Sequence, residues 1–316
     1  MGAVSASSTK TKNWLRNWAG KTCVHAVQDR AFKKCCLKSG KYDGSNRNYF
    51  FPRMIEIGPV LPRVPPRYTK VMIQVFRPIP VERLKLLVFD LDGTLIDSAQ
   101  DLCNSVNETL KEFGHEPLPD PAIASFVGNG APMLMRRSLA LASNLNPERV
   151  DEELLAKAYA FFLQYYREHK LDFTYVYDGV LDALQALHAL HEAPGGTKRT
   201  MAVLTNKPAR PARGICEGLG LASYFLEIYG GDSFTAKKPD PMGLRKLMEE
   251  TGALPEETAM IGDSHVDVLT ARNAGAWSIG CAFGFGPQTL MEIPPDIVVD
   301  TASDWTEALS PAKIGL

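Results

Sequence analysis

The sequence lacks the features that mark a membrane-spanning or secreted protein. No run in its 316 residues approaches the roughly 18 consecutive apolar residues of a membrane span, and its N-terminus lacks the apolar run of a secretory signal. The six cysteines are scattered, without the spaced CxxC pairs of a zinc site. The adjacent Cys35 and Cys36 could form a metal or redox site, but we interpret the cysteines as free thiols. We therefore expect a cytoplasmic protein with no membrane partner.

Acidic residues are scarce at the N-terminal end. Residues 1–83 contain 16 Lys and Arg against 4 Asp and Glu, whereas 84–316 contain 19 against 32, so the two parts differ in character. The basic part has no sustained helical or strand periodicity, and prolines interrupt its second half. We expect residues 1–82 to form a mostly disordered extension. It could be a targeting or nucleic-acid-binding arm, an extension without a defined role, or sequence upstream of a true start at Met72, which we favour.

From Leu84 onward, short apolar runs alternate with helical patterns. Leu84–Phe89 forms a run that ends on Asp90 at a polar turn, as expected for a buried strand. Further strands are predicted at 200–204, 259–261, 225–229, 276–280 and 296–299, and helices at 180–190 and 241–251. This alternation predicts an α/β fold with a doubly wound, mostly parallel sheet, in which ligands bind beyond the carboxyl ends of the strands.

A helical insertion interrupts this alternation. Between residues 98 and 177 the strand signals disappear, and amphipathic patterns predict helices over Ala99–Phe113, Ala131–Ala142 and Asp151–His169. We expect a core formed by 83–97 and 178–316, with 98–177 as a helical cap. A module placed directly after the first polar strand end is suited to close over a substrate and exclude water.

The segment Asp90-Leu91-Asp92-Gly93-Thr94 carries the first chemical signal. An Asp-Gly turn after a strand explains Gly93 but not an aspartate at the strand's end. Asp90 could attack phosphorus as a carboxylate nucleophile and form an aspartyl-phosphate. Asp92 could protonate the leaving alkoxide and later take a proton from the attacking water.

Three further polar segments follow predicted strands or precede a predicted helix. Thr205-Asn206-Lys207-Pro208 offers a hydroxyl and turn amides to phosphate oxygens, although such turns are common. Lys237-Lys238-Pro239-Asp240-Pro241 offers a lysine for a phosphoryl group, or is an exposed basic turn. Gly262-Asp263-Ser264-His265-Val266-Asp267 offers two carboxylates, of which Asp263 could simply cap a helix. If these segments converge, their carboxylates need a cation, and oxygen ligands beside phosphate favour Mg²⁺.

In this order, the four segments resemble the four motifs of the haloacid dehalogenase superfamily, over about residues 84 to 300. The resemblance implies a Rossmann-like core with an inserted helical cap, and a phosphoryl-transfer enzyme that uses Mg²⁺. By the same resemblance, Asp90 is the nucleophile and Asp92 the acid and base. The implied partners of phosphate and metal are Thr205, Asn206 and Lys238 for phosphate, Asp90, Asp263 and the Asp92 backbone carbonyl for Mg²⁺, and Asp267 in the outer metal shell.

The substrate expectation rests on Gly128-Asn129-Gly130-Ala131, Thr205-Asn206-Lys207-Pro208 and Gly230-Gly231-Asp232, which resemble the phosphoglycolate phosphatase branch. Arg136 or Arg137 could reach the carboxylate of 2-phosphoglycolate, or lie on a solvated helix face. Asn129 could line the entrance, or belong to a helix-starting turn.

The expected reaction is therefore Mg²⁺-dependent hydrolysis of a small phosphate ester, 2-phosphoglycolate, to glycolate and phosphate. A phosphosugar mutase of the same fold and a nucleic-acid-binding protein that uses the basic extension are the alternatives. We expect no nucleic-acid partner, and monomer and homodimer both remain open.

Overall fold

The computed structural model describes residues 73–192 and 199–310. Most of the predicted extension, with Cys35 and Cys36, lies outside these residues. Nine strands are present in the described part of the chain, and they are β1 (Gln74–Val75), β2 (Leu86–Phe89), β3 (Ile96–Asp97), β4 (Tyr175–Val176), β5 (Thr200–Leu204), β6 (Ile228–Tyr229), β7 (Thr258–Gly262), β8 (Trp277–Cys281) and β9 (Ile297–Val299).

The helices follow the predicted order closely. In the described residues they are α1 (Ala99–Glu112), α2 (Asp120–Ala124), α3 (Ala131–Ala142), α4 (Glu152–His169), α5 (Val180–Glu192), α6 (Ala209–Gly218), α7 (Met242–Thr251), α8 (His265–Ala274), α9 (Thr289–Glu292) and α10 (Asp304–Ala308). Four of the predicted helices therefore recur with ends that agree to within a residue: α1, α3, α4 and α7. None of the described helices is long and apolar enough to cross a membrane.

Seven strands form the main sheet in the order β1-β9-β8-β7-β2-β5-β6. All neighbouring strands are parallel except β1, which runs antiparallel to β9. Strand β2 lies between β5 and β7, and its Leu86 is in register with Thr200 and Thr258. The predicted α/β class and mostly parallel sheet are confirmed.

The central strand β2 is buried on both faces because helices cover both sides of the sheet. Leu86 and Val88 belong to one apolar cluster, to which α7 contributes Leu244 and Leu247. Leu87 and Phe89 point to the opposite face, where the Phe89 ring lies 5.2 Å from that of Trp305 on α10. Each such buried side chain contributes roughly 1.5–3 kcal/mol. The strand that carries Asp90 is therefore held rigidly.

The segment 98–177, called the insertion below, is mainly helical. Helix α4 packs against both α1 and α3, and Asp151 caps its start by accepting a hydrogen bond from the Leu154 amide at 2.8 Å. The insertion is not free of strands, in contrast to the prediction, because β4 pairs antiparallel with β3. A two-residue strand leaves no periodic signal in a sequence, so only the pairing itself reveals it.

Residues 73–82 belong to the ordered core, which differs from the predicted boundary at residue 82. Strand β1 extends the sheet beside β9, and the side chains of Ile79 and Val81 are buried. The buried Arg199 guanidinium donates to the Val81 carbonyl at 2.6 Å. The prolines in this segment interrupt any helical or strand period, so local sequence patterns do not predict its structure. The segment is ordered by contacts with residues that are distant in sequence.

Candidate active site

Three strands deliver polar residues to one edge of the sheet. Asp90 directly follows β2, Thr205 follows β5, and Asp263 follows β7, which are adjacent and parallel. The amide of Asp90 donates to the carbonyl of Ile261 at 2.8 Å, so the sheet ladder continues as far as the aspartate. The parallel arrangement therefore brings residues from distant parts of the chain to one place.

Three of the four aspartates expected to crowd together lie close to one another, and Asp92 is not among them. Oxygens of Asp90, Asp263 and Asp267 lie within 4.8 Å of one another. The ammonium of Lys238 lies 2.9 Å from Asp90 and 2.7 Å from Asp267. Three carboxylates beside one ammonium leave an excess of two negative charges when all are ionised, which one divalent cation would balance. This all-oxygen donor set fits a hard cation such as Mg²⁺.

Burial raises the pKa values of two of these carboxyl groups. Desolvation raises the pKa of Asp263 to about 8, with Asp267 and Asp90 adding to the effect. Desolvation also raises the pKa of Asp90, to about 6, although the nearby Lys238 ammonium opposes this rise. Without a further positive charge, the site therefore favours partial protonation.

Glycines allow the backbone to approach Asp263. Gly93 adopts a φ of +83°, and a Cβ atom there would collide with the Asp263 carboxylate. Gly284 also packs against Asp263, and a Cβ atom there would collide with the Asp263 side chain and the Gly93 carbonyl. The amides of Phe285 and Gly286 donate to Asp263 Oδ2 at 2.6 and 3.0 Å. The loop 284–286, to which the sequence analysis gave no role, thus orients Asp263.

Asp92 faces away from this cluster toward a buried lysine. Its two carboxylate oxygens accept hydrogen bonds from Lys207 Nζ at 2.8 and 2.9 Å, and Ser98 Oγ donates to Oδ1 at 2.5 Å. The ammonium lies over the Tyr166 ring, 4.9 Å from its centroid. Burial alone would lower the pKa of Lys207, but Asp92 and Tyr166 outweigh it and raise the pKa above its ordinary value.

A cleft opens between the core and the insertion above Asp90 and Asp92. The core side is formed by Thr205, Asn206, Lys207 and two prolines. The insertion side is formed by apolar residues and glycines, together with Tyr166; its lining residues are Leu102, Val127, Gly128, Gly130, Ala131, Leu134, Phe162, Leu163 and Tyr166. The cleft is therefore polar at its floor and apolar at its roof.

Neither arginine considered for substrate binding lines this cleft. Arg136 Nη2 donates to both carboxylate oxygens of Glu152, at 2.8 Å each. Arg137 Nη1 donates to Asn129 Oδ1 at 3.0 Å. Helix α3 presents Ala131 and Leu134 to the cleft instead, and helical geometry directs neighbouring residues elsewhere. The structure thus does not bring Arg137 or Asn129 into the cleft, in contrast to the sequence-based hypothesis.

Two core residues hold the loop at the start of α3. Asn206 Nδ2 donates to the carbonyl oxygens of Gly128 and Lys238, at 3.0 Å each. Lys237 Nζ donates to the Asn129 carbonyl at 2.7 Å. The Asn206 side-chain amide, predicted to bind phosphate, is therefore engaged by backbone carbonyls. Thr205, by contrast, keeps its place at the floor, and its hydroxyl accepts a hydrogen bond from the Lys207 amide at 3.2 Å.

Lys207 is the main residue for which sequence reasoning assigned no role. The position of Lys207 in the sequence did indicate a role in the site, because this cation lies in the polar segment directly after β5, next to a predicted acidic site. Nothing in the sequence, however, shows that its side chain turns toward Asp92, 115 positions earlier.

The doubly wound sheet places this chain in the α/β class, with aspartates and lysines gathered beyond the carboxyl ends of its strands. The chain belongs to the haloacid dehalogenase-like hydrolases, whose family model matches residues 87–281. This confirms the resemblance drawn from the four motifs.

Proteins named as phosphoglycolate phosphatases are similar to most of this chain. Phosphoglycolate phosphatase of Vibrio vulnificus strain YJ016 is 37% identical over 223 residues, covering 70% of this chain and 93% of that protein. The Neisseria meningitidis Z2491 enzyme of the same name is 36% identical over 237 residues, covering 74% and 97%. The crystal structure of a predicted phosphoglycolate phosphatase from Haemophilus somnus 129PT has a TM-score of 0.66 and 28% identity, covering 72% and 99%. The chain is therefore a phosphatase, a hydrolase of phosphoric monoesters.

Proposed function

We propose that this phosphatase hydrolyses 2-phosphoglycolate to glycolate and phosphate, with Mg²⁺ as cofactor and Asp90 as nucleophile. The observation that carries this proposal is the convergence of Asp90, Asp263 and Asp267 around Lys238, with Asp90 also lining the cleft. The names of the relatives support the choice of ester.

The metal would be held by Asp90 and Asp263, with Asp267 beside them. The Asp92 backbone carbonyl is the further ligand implied by the family motifs. A bound Mg²⁺ would supply positive charge that balances the charge of the phosphoryl group. The same charge keeps the buried carboxyl groups ionised, because an adjacent cation opposes the effect of burial on their pKa values. Lys238 balances further negative charge and holds Asp90 in place.

Asp90 and Asp92 divide the chemistry between them. An Asp90 oxygen attacks phosphorus, the ester P–O bond breaks, and the leaving alkoxide takes a proton from the Asp92 carboxylic acid. A water molecule then attacks the aspartyl-phosphate and gives a proton to the Asp92 carboxylate. Phosphate leaves, and Asp90 returns to its starting form.

The lining of the cleft disfavours the phosphosugar mutase. A sugar phosphate would place several hydroxyl groups against the insertion, and a buried hydroxyl needs a hydrogen-bond partner. Among the described insertion residues that line the cleft, Tyr166 alone has a polar side-chain group. A small leaving group with few hydroxyls suits this wall better. Phosphate release without sugar 1-phosphate to 6-phosphate conversion would separate the two activities.

The direct test is phosphate release from a panel of phosphate esters with and without Mg²⁺. We expect 2-phosphoglycolate to be the best substrate, and removal of metal by a chelator to abolish its hydrolysis. Asp90→Asn keeps the shape of the side chain but removes the nucleophile, so we expect its rate to fall on the order of a thousandfold or more. Asp182→Asn, on the exposed face of α5, is the matched control. Retention of most of the rate by Asp90→Asn would refute the mechanism.

A further inference from the structure

The cleft contains a cation whose role the proposed mechanism does not explain. Lys207 is the one lysine or arginine among the described residues that line the cleft, and its side chain is 4% exposed. Its ammonium has Asp92 on one side and the Tyr166 ring on the other. A buried ammonium is costly and must be paired, so the position calls for a specific anion.

The ion pair with Asp92 does not use all the hydrogen-bonding capacity of Lys207. The ammonium has three N–H donors, and the two Asp92 oxygens accept from it at 2.8 and 2.9 Å. Lys207 can therefore take a second negative partner while the ester is bound.

The substrate can provide that partner. A phosphate group bound at Asp90 and Lys238 directs the alcohol part of the ester toward Asp92 and the roof of the cleft. The other available wall is apolar, with Leu134 and Phe162 among its members, so a carboxylate on the alcohol part would be desolvated there without compensation. Lys207 is the group that compensates it.

We infer that Lys207 is a specificity-determining residue, whose ammonium pairs with an anionic substituent on the alcohol part of the ester. The substrate class is thus the phosphate esters of small hydroxy acids. This inference rests on the proposed function and deepens it, since it assigns to Lys207 the part that the sequence suggested for Arg137.

The test compares 2-phosphoglycolate with 2-hydroxyethyl phosphate, in which a neutral hydroxymethyl group replaces the carboxylate. We expect wild-type kcat/KM to be about 10- to 100-fold higher for the anionic ester, the range of one or two charge-assisted hydrogen bonds. Lys207→Gln should reduce this ratio to near one, mainly by lowering kcat/KM for the anionic ester. Lys207→Arg keeps the charge but changes its geometry, and should retain part of the preference.

Arg137→Gln is the matched control, and its ratio should equal that of the wild type. A ratio near one in the wild-type enzyme, a wild-type ratio in Lys207→Gln, or loss of the preference in Arg137→Gln would overturn the inference. If Lys207→Gln does not fold, as judged by circular dichroism, the ratios of Lys207→Arg and Arg137→Gln test the inference. A reduced ratio in Lys207→Arg alone supports the inference, whereas a reduced ratio in Arg137→Gln alone contradicts it.

The panel also separates this inference from the proposed function. It includes 2-phospholactate and 3-phosphoglycerate, which carry a carboxylate on other carbon skeletons. If one of these is hydrolysed and 2-phosphoglycolate is not, the proposed ester is wrong, and Lys207 dependence of that hydrolysis supports the inference. If 2-phosphoglycolate is hydrolysed no better than 2-hydroxyethyl phosphate, the inference alone fails.

Discussion

At the scale of single residues, the carboxyl groups of the site are buried, which disfavours their ionised forms. Asp90 and Asp263 are both buried, with pKa values raised by desolvation to about 6 and about 8. Their charged forms are tolerated only beside positive charge, of which Lys238 supplies one unit. Metal binding and proton binding at this site should therefore compete.

This competition predicts a particular dependence of stability on pH. The folded-state pKa values lie above those of unfolded aspartate, so their contribution to stability is full below pH 4 and is lost as pH rises through about 6 for Asp90 and about 8 for Asp263. Each group lowers the free energy of unfolding of the metal-free protein by at most about 1.4 kcal/mol per pH unit in this window. Mg²⁺ should therefore raise the Tm more at pH 8.5 than at pH 5.5.

Thermal unfolding with Mg²⁺ and with a chelator, across this pH range, checks the prediction. Asp263→Asn provides the control, because its amide cannot ionise and the metal-free variant should show a weaker pH dependence than the wild type. A Mg²⁺ effect on Tm that is equal at pH 5.5 and 8.5 would contradict the competition.

Gly93 is the second residue whose replacement is informative. Its φ of +83° and its contact with Asp263 together predict that Gly93→Ala strains the backbone and displaces the carboxylate. Gly114→Ala is the control, because Gly114 has a similar φ of +77° but no atom within 4 Å of the added Cβ. Both variants should lose about 1–2 kcal/mol of stability from backbone strain, measured by urea unfolding. Only Gly93→Ala should also lose phosphatase activity, by at least about tenfold for a small displacement of Asp263, the proposed metal ligand.

At the scale of secondary-structure elements, one buried aspartate links the two chain segments that connect the insertion to the core. Asp101 on α1 accepts hydrogen bonds from the amides of Phe173 and Thr174, at 3.0 and 2.8 Å, and from the Thr174 hydroxyl at 2.7 Å. It thereby joins the start of the first helix of the insertion to the chain that leads into β4. The two connections are thus fastened to each other beside the β3–β4 pair.

Asp101→Asn should weaken this connection, because an amide nitrogen would face one of these donors. We expect the free energy of unfolding to fall by about 2 kcal/mol, the cost of leaving one or two buried donors unpaired. Urea unfolding measures this change. Asp172→Asn, at an exposed position that pairs with His169, should change stability by less than about 1 kcal/mol. Equal effects of the two substitutions would show that Asp101 does not fasten the two connections.

At the scale of the whole molecule, the ordered core begins before the apolar run that starts at Leu84. Strand β1, Ile79 and Val81 pack onto the rest of the core. A fragment of residues 72–316 should therefore keep the Tm and kcat/KM of the full chain, and should bind little DNA or RNA. Loss of its activity would refute our interpretation of residues 1–71.

A shorter fragment, 84–316, tests the contribution of the intervening residues. It loses two buried aliphatic side chains and an edge strand, so its free energy of unfolding should be about 3–6 kcal/mol lower. Denaturant unfolding of the two fragments side by side measures the difference. Equal stability would show that β1 and the buried Ile79 and Val81 do not stabilise the core.

Much of the fold and part of the candidate site could be predicted from local patterns. The apolar run before Asp90 predicted β2, and helical periodicity predicted α1, α3 and α4. These predictions succeed because the patterns are displayed by neighbouring residues. A strand buried on both faces shows a continuous apolar run, and a helix buried on one face shows apolar residues at a helical period. The strand-end positions of Asp90, Thr205 and Asp263 follow in the same way, since parallel strands share their carboxyl edge.

Contacts between residues distant in sequence could not be predicted in this way. The sequence by itself determined the fold class, the family motifs and the residues available for chemistry, because these depend on neighbouring positions. The tertiary structure alone decided that Lys207 turns to Asp92, that Arg137 turns to Asn129, and that the loop 284–286 holds Asp263. Side-chain direction depends on what packs around each residue, and that environment is assembled from the whole chain.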